Sequence, residues 1–328
     1  MGRNENAFIP FLKQAKEFAD LFNGFIFGGA QVILPENLSP LPESLRSNLR
    51  DKAGAFDTVV RYRDIGMMAQ IGTLRFLLVC AVEHQTYLDY SMPHRMMEYE
   101  AMEYHEQLEK ITRVNKDNGK LPSKYYISGV TLEDKLIPVI TIVIYSGDEK
   151  WEGARCLHDF LKLDGIPEDA LPHIGNWPLN MIDLNEPIDT SKYHSDLRLL
   201  FELAKRRKDK RAVLNYIREH EEFKTLGTLT CYMLSQYLNV NIEPDDYKNT
   251  DKGGINMCNA IQELMEDARL EGIEQGLAQG TALGKHEQLM SLVQLKYDKG
   301  KNLSQIADEC ETTEENILSI MEEMKLVF

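Results

Sequence analysis

The spacing of apolar positions along the chain switches between a helical and a strand period, and the switches mark the elements. Residues 5–27, ENAFIPFLKQAKEFADLFNGFIF, place Phe8, Phe11, Ala15, Phe18, Leu21 and Phe22 at helical spacing. This predicts one or two short helices, with Pro10 in a first turn. The following LPENLSPLPESLRSN is rich in proline and predicts irregular chain. FDTVVRYRDIGM carries β-branched and aromatic residues and predicts a strand, and GTLRFLLVCAV is apolar on both faces, as a central strand is. QIGT between them suits the turn of an antiparallel hairpin. SMPHRMMEYEAMEYHEQLEKI returns to helical spacing through Met92, Met96, Tyr99, Met102 and Leu108, with Ser91 as cap and Pro93 in the first turn. LIPVITIVIYSG is a third strand, closed by Gly147. Helix, hairpin, helix and strand in this order describe a mixed α/β sheet with helices on its faces.

Beyond residue 190 the strand signals fade. HSDLRLLFELAKRRKDKRAVLNYIREHEEF and TLTCYMLSQYLNV predict amphipathic helices. Residues 255–300 predict one long helix or two in series, with Gly272, Gly276, Gly280 and Gly284 spaced by four. The tail NLSQIADECETTEENILSIMEEM predicts two short helices joined near Thr312 and Thr313, a pattern that resembles a helix-turn-helix. The chain therefore divides into an α/β half, residues 1–175, and a helical half, residues 190–328, serving assembly or regulation.

Composition narrows the classes. A chain of 328 residues exceeds what one core usually covers, and a hydrophobic content of 43% supports a real core. The five cysteines are scattered without C-x-x-C spacing, which argues against a structural zinc site and fits reduced thiols in a cytoplasm. No apolar core of a signal peptide and no bilayer-length apolar run is present, so a cytoplasmic location without membrane association is expected. The formal net charge of −15 excludes a broadly basic surface that coats nucleic acid, but leaves room for a metal enzyme built on carboxylates.

The candidate chemistry lies where the central strand ends, in LRFLLVCAVEHQT. Side chains alternate along a strand, so Glu83 and Gln85 share a face and His84 takes the other. Asp64 ends VVRYRD, and a hairpin turning near Gly72 lets Asp64 and Glu83 reach neighbouring positions. Two adjacent carboxylates repel unless a cation lies between them. Hard oxygen ligands suit magnesium, which can polarise a phosphodiester. The plainer alternative is that Asp64 pairs with a surface cation and Glu83 marks the strand's exit.

RYRD, LLVCAVEHQTYLDYSMPHRMMEYEAMEY and LIPVITIVIYSGDEKWEG together resemble the Rpn family of recombination-promoting nucleases, also described as YhgA-like transposases (transposase-31). The specific part is E-H-Q-T followed by M-P-x-R, with a long apolar strand ending in Y-x-G; KEFADLFNGFIF before, and GIEQGLAQG and NLSQIADECETTEENI after, extend the likeness. The resemblance implies the restriction-endonuclease-like core of the PD-(D/E)xK superfamily and a divalent-metal-dependent DNA endonuclease linked to recombination or mobile DNA. It implies that Asp64 is a metal-binding aspartate, that Glu83 is the first acid of the E-x-(K/Q) pair, and that Gln85 stands where many superfamily members carry lysine. A further acid of the first helix falls on Glu5, where aspartate is commoner. An amide at position 85 can donate and accept hydrogen bonds but supplies no charge to the transition state.

Other residues carry two readings each. Arg95 either meets a phosphate of bound DNA or pairs with Glu98 or a sheet-edge carboxylate. Gln107 or Tyr104 faces DNA, or the tyrosines pack in the core; Tyr145 lines the cleft or packs. KRRKDKR, residues 205–211, touches the DNA backbone or forms a solvated helix face. The glycine ladder costs about 0.5–1 kcal/mol per residue against alanine, so it serves either a helix pair, as in a homo-oligomer through the C-terminal helices, or a flexible connector.

Overall fold

The computed structural model describes residues 3–41, 44–50, 56–62, 65–83, 89–119, 125, 128–240, 242, 248–249 and 254–327; for 3–6, 44–50, 56–62, 80–83 and 248–249 it describes the backbone only. The chain forms two compact units, Met1–Cys258 and Asn259–Phe328.

Unit 1 opens with helices α1 (Arg3–Leu12) and α2 (Ala15–Ile26). Five strands then build one sheet: β1 (Leu38–Pro40), and, after a separate antiparallel ribbon of β2 (Ser44–Arg50) and β3 (Phe56–Tyr62), β4 (Ile65–Ile71) and β5 (Leu74–Glu83). Helix α3 (Met92–Asp117) leads to β6 (Val139–Tyr145), and the short α4 (Leu157–Phe160) precedes β7 (Met181–Asp183). The sheet order is β1-β4-β5-β6-β7. β1, β4 and β5 are antiparallel neighbours; β5, β6 and β7 run parallel. This is a mixed sheet of the α/β class, and GTLRFLLVCAV is its middle strand. The hairpin pairs Ile71 with Leu74 across Gly72-Thr73, and Gly72 has φ +59. A glycine at positive φ in the first central position matches the right-handed twist of the flanking strands.

Helix α3 covers one face because its apolar row meets the strands' own. Met92, Met96 and Tyr99 pack on Val143, Tyr145, Met181, Leu179 and Trp151. Tyr104 packs against Leu77, Val79 and Val139, as the packing alternative for the tyrosines expects.

Helices α5 (Leu197–Arg206), α6 (Lys210–Glu219) and α7 (Thr228–Tyr237) complete unit 1 with the two-residue strands β8 (Lys248–Asn249) and β9 (Gly254–Ile255). Within unit 1, α2 is bonded to the start of α5. The buried Asp20 carboxylate accepts from the His194 and Ser195 amides and the Ser195 hydroxyl at 2.7–3.0 Å. The Leu197 amide donates to Glu17 at 3.2 Å, and Phe8 of α1 meets Tyr237 of α7 edge-on at 6.2 Å. Asp209 accepts from Arg211 and Ala212 at the first turn of α6, so the amphipathic stretch 194–223 forms two helices, α5 and α6.

Unit 2 holds α8 (Met257–Asp298) from Asn259 on, with α9 (Leu303–Glu309) and α10 (Glu314–Glu323). The long helix is single. Its last turns join α9 and α10 in a small core of Val293, Ile306, Ile317, Ile320 and Met321. Thr313 accepts from the Asn316 amide at 3.2 Å and starts α10, so the expected break near Thr312 and Thr313 is there.

Several local expectations need correction, some because a distant strand supplies the partner and some because a neighbouring residue does. Pro10 lies deep in α1, not in its first turn, two residues before the helix ends. LPENLSPLPESLRSN is not irregular throughout: it includes β1 and much of β2, which a polar sequence forms because β4 and β3 supply the partners. FDTVVRYRDIGM makes two strands in two different sheets. Ser91 holds the cap position of α3, but its hydroxyl donates to Asp89 at 2.5 Å instead of accepting from the helix.

Candidate active site at the carboxyl edge of the sheet

Strands β5, β6 and β7 end together. Their register pairs Glu83 with Tyr145 and Tyr145 with Asp183. Parallel neighbours lie about 4.8 Å apart, so the three backbones form one short row at the carboxyl edge. Ligands of open α/β sheets bind outside such edges. On the other side of β5, Ile65, which directly follows Asp64, pairs with Cys80, three residues before Glu83. At roughly 3.3 Å per residue the start of β4 is thus about 10 Å along the strand direction from Glu83.

Of the residues singled out from the sequence, Asp64, Gln85 and His84 lie outside the described residues. Glu83 is placed by its backbone as the last residue of β5, and Glu5 by its backbone within α1. Arg95 donates to Asp89 at 2.8 Å, an ion pair with a carboxylate of the segment before its own helix. Burial opposes the charge of Asp89, but bonds from Ser91 and Arg95 outweigh it and hold the carboxyl below its usual range. Gln107 accepts from the Ile137 amide at 2.6 Å and donates to the Ile137 carbonyl at 3.1 Å. The Tyr104 hydroxyl accepts from the Val139 amide at 3.1 Å. Tyr104 and Gln107 therefore stitch α3 to the start of β6.

The rest of the edge is held by groups to which the sequence gives little prominence. Asp183, 2% exposed, accepts from the Trp151 amide at 2.8 Å and the Asn185 amide at 2.9 Å. Tyr145 is buried edge-on to Trp151, with ring centroids 5.2 Å apart. Burial first, then the Asp183 charge, push its phenol above the usual range. A Cβ on Gly147 would sit 2.2 Å from the Tyr145 hydroxyl, so only glycine lets the chain turn back over that ring. The Gly147 carbonyl accepts from Asn185 and from Arg207, each at 2.9 Å, and Arg207 also pairs with Asp148 and lies over the Tyr237 ring at 5.5 Å.

Arg207 comes from KRRKDKR, and its neighbours are equally engaged. Lys205 and Arg206 pair with Glu202, and Arg206 stacks on Tyr216 at 4.1 Å. Burial works against the Glu202 charge, yet Thr190, Lys205 and Arg206 together draw its pKa down to about 2. Half of the basic run thus serves the fold of unit 1. A faint signal for Asp183 was available: NMIDLN is a short apolar run ending on an acid, as AVEH is.

Among the described residues no group of three His, Cys, Asp or Glu side chains is placed to hold a metal ion, and no helix is long and apolar enough to cross a membrane. The donors expected from the sequence, two or three carboxylates and an amide, are all hard oxygen ligands, a chemistry that fits magnesium. No curated protein and no solved structure matches the chain. Residues 70–228, from the end of β4 to the first residue of α7, match the family described as "Putative transposase, YhgA-like", and E-H-Q-T, M-P-x-R and Y-x-G all lie within this segment.

Proposed function

We propose that the protein is a divalent-metal-dependent DNA endonuclease of the cytoplasm, hydrolysing phosphodiester bonds in recombination or in the movement of mobile DNA. The observation that carries this reading is the strand register. It ends the central strand on Glu83 at the carboxyl edge of three parallel strands, and pairs the residue after Asp64 only three positions earlier. The match to a transposase-like family supports the same class of chemistry. In this reading Asp64 and Glu83, with Glu5 as a further acid from α1, hold a magnesium ion. Such an ion polarises the phosphodiester and lowers the pKa of a bound water. Gln85 orients that water through its amide and supplies no charge. Two copies joined through the C-terminal helices would bring two such centres to the two strands of a duplex. Arg95 and Gln107, the residues expected to meet DNA, already have partners inside the chain, so a DNA contact by either requires an exchange of partners.

A second reading has one observation in its favour. The formal net charge of −15 argues against a broadly basic DNA-binding surface, as suits a silent relative that works through protein interaction without cutting. Purified full-length protein on supercoiled plasmid, with and without magnesium, separates the two. The nuclease reading expects magnesium-dependent nicking or linearisation, reduced about a hundredfold or more by Asp64→Asn or Glu83→Gln. Gln85→Lys should keep or raise the rate. Plasmid left intact by a folded protein would favour the silent reading, and full activity in both acid variants would move the site elsewhere.

A further inference from the structure

Beside β7 lies a cavity of about 260 Å³, bordered by buried residues (Gly24, Met181, Asp183 and Tyr193) and by exposed ones (Phe25 and Asp189). β7 is the last strand of its sheet, so one of its edges has no strand beside it. The register says which main-chain groups that edge carries. The Val143 amide donates to the Asn180 carbonyl at 2.8 Å, and the Leu184 amide to the Tyr145 carbonyl at 3.0 Å. Residues 180, 182 and 184 therefore turn their main-chain groups to β6, and Met181 and Asp183 turn theirs the other way, along the cavity. The side chains of these two are engaged elsewhere: Met181 packs with Met92 and Met96 of α3, and Asp183 is bonded to the Trp151 amide.

Four polar groups at this place have no hydrogen-bond partner among the described residues: the Met181 amide and carbonyl, the Asp183 amide and the Tyr193 hydroxyl. The Asp183 carbonyl is taken, by the Glu186 amide at 3.0 Å. Main-chain groups in buried residues are nearly always paired, yet Met181 is 7% and Asp183 2% exposed. Tyr193 reaches the cavity because Gly24 has no side chain; a Cβ there would lie 2.2 Å from the ring. Burial first, then the Asp20 and Asp189 charges, push its phenol above the usual range, so the hydroxyl keeps its proton and can donate.

We propose that an extended peptide segment of a partner protein binds here, adding to the free edge of β7 as one more strand. Three observations choose this occupant. The first is charge. Glu186 already meets Lys150 and Arg155, each at 3.1 Å; Asp189 accepts from the Ser191 amide and hydroxyl; Asp183 accepts from the Trp151 and Asn185 amides. The groups left over are all neutral, so their complement is an amide and not a phosphate or a metal ion. The second is spacing. Along the edge the open groups run donor, acceptor, donor, and the two donors are two residues, about 6.6 Å, apart. An extended main chain presents carbonyl, amide and carbonyl along one edge at the same repeat, which is how strand addition recognises peptides. The third is size. Cofactor and other small-molecule sites occupy roughly 300–1,000 Å³, and this cavity is smaller, as suits a short stretch of chain laid along an edge.

Amide-resolved hydrogen exchange of the full-length chain tests the proposal directly. In the free protein the Met181 and Asp183 amides should exchange about tenfold or more faster than those of Ile182 and Leu184, which are buried to the same degree but bonded to β6. The probe is a neutral, capped strand-former, acetyl-Thr-Val-Thr-Val-Thr-amide, for which three main-chain bonds should give a Kd of about 1 mM. At about 5 mM it should slow the Met181 and Asp183 amides about fivefold. The same peptide with every main-chain amide N-methylated should leave them unchanged. Tyr193→Phe should raise Kd about threefold or more with the thermal midpoint unchanged, because the hydroxyl has no partner in the chain to lose. Four results would each overturn the proposal: Met181 and Asp183 amides as slow as their neighbours in the free protein, no protection by the peptide, equal protection by its N-methylated form, or a Tyr193→Phe variant that binds like the parent. Tyr193 takes no part in the proposed metal centre, so the plasmid experiment decides the nuclease reading separately.

Discussion

Gly24 in α2 and Gly280 in α8 are both glycines inside helices, and their surroundings are opposite. A Cβ on Gly24 would lie 2.2 Å from the Tyr193 ring; a Cβ on Gly280 would touch nothing within 4 Å. Glycine in a helix interior costs about 0.5–1 kcal/mol against alanine in either place. In α2 the cost is offset inside the same chain, because the missing side chain admits a buried tyrosine that itself packs edge-on against Phe201 at 4.6 Å. In the middle of α8 no atom of the described residues takes the space. Helix α2 is buried from Phe18 to Gly24 and bonded to the start of α5, whereas α8 from Glu266 to Lys285 is exposed on every side. A residue type that signals close packing in one helix thus signals an unfilled surface in the other, and only the neighbours tell them apart.

The largest effect should come from Gly24→Ala. The ring it meets is buried and held by Phe201, so it has little room to move, and overpacking of this kind costs about 1–3 kcal/mol. The gain in helix propensity recovers only part of that. Denaturant unfolding should show a lower midpoint with an unchanged slope. An unchanged or higher midpoint would mean that the contact between α2 and the 190–195 segment yields, and that the contrast with α8 is one of degree.

A smaller, pH-dependent effect should come from Glu17, on the same helix. Its carboxyl is raised above the usual range, chiefly by burial and further by Asp196, against which Ser195, Lys16 and the Leu197 amide pull it down. The folded state therefore holds this proton more tightly than the unfolded chain does. Stability is fully present below the unfolded carboxyl pKa, declines as pH rises through the folded value, and is level beyond it. Glu17→Gln keeps an acceptor for the Leu197 amide and removes the titration. The decline across that window should shrink, seen as thermal midpoints of variant and parent that diverge from mildly acidic to neutral pH. Curves that stay parallel would show that Glu17 is not insulated from water, and that α2 is less enclosed than its neighbours make it.

What the sequence discloses follows the same division between local and distant causes. β5 and β6 are legible because strands buried on both faces are apolar throughout. α3 is legible because its buried row recurs at helical spacing, and the long helix because nothing interrupts it. β2 is not legible: SLRSNLR is polar, and it is a strand only because β3 lies beside it. At the candidate site the motif E-H-Q-T marks Glu83, but the row of Glu83, Tyr145 and Asp183 depends on the register of three strands nearly a hundred residues apart. Arg207 carries no local mark beyond its basic neighbours, since its meaning lies in the Gly147 carbonyl sixty residues earlier.

The smallest effect, and the one of opposite sign, should come from Gly280→Ala. Among the described residues nothing lies within 4 Å of the added methyl group, and the helix gains about 0.5–1 kcal/mol of local stability. Hydrogen exchange of the amides around 276–284 reports that gain directly, because opening there is local and does not require the rest of the protein to unfold. Exchange should slow about two- to fivefold, with the global unfolding midpoint unchanged. A methyl group that instead lowered protection would mean that the glycine row is covered within the chain after all, and α8 would then resemble α2.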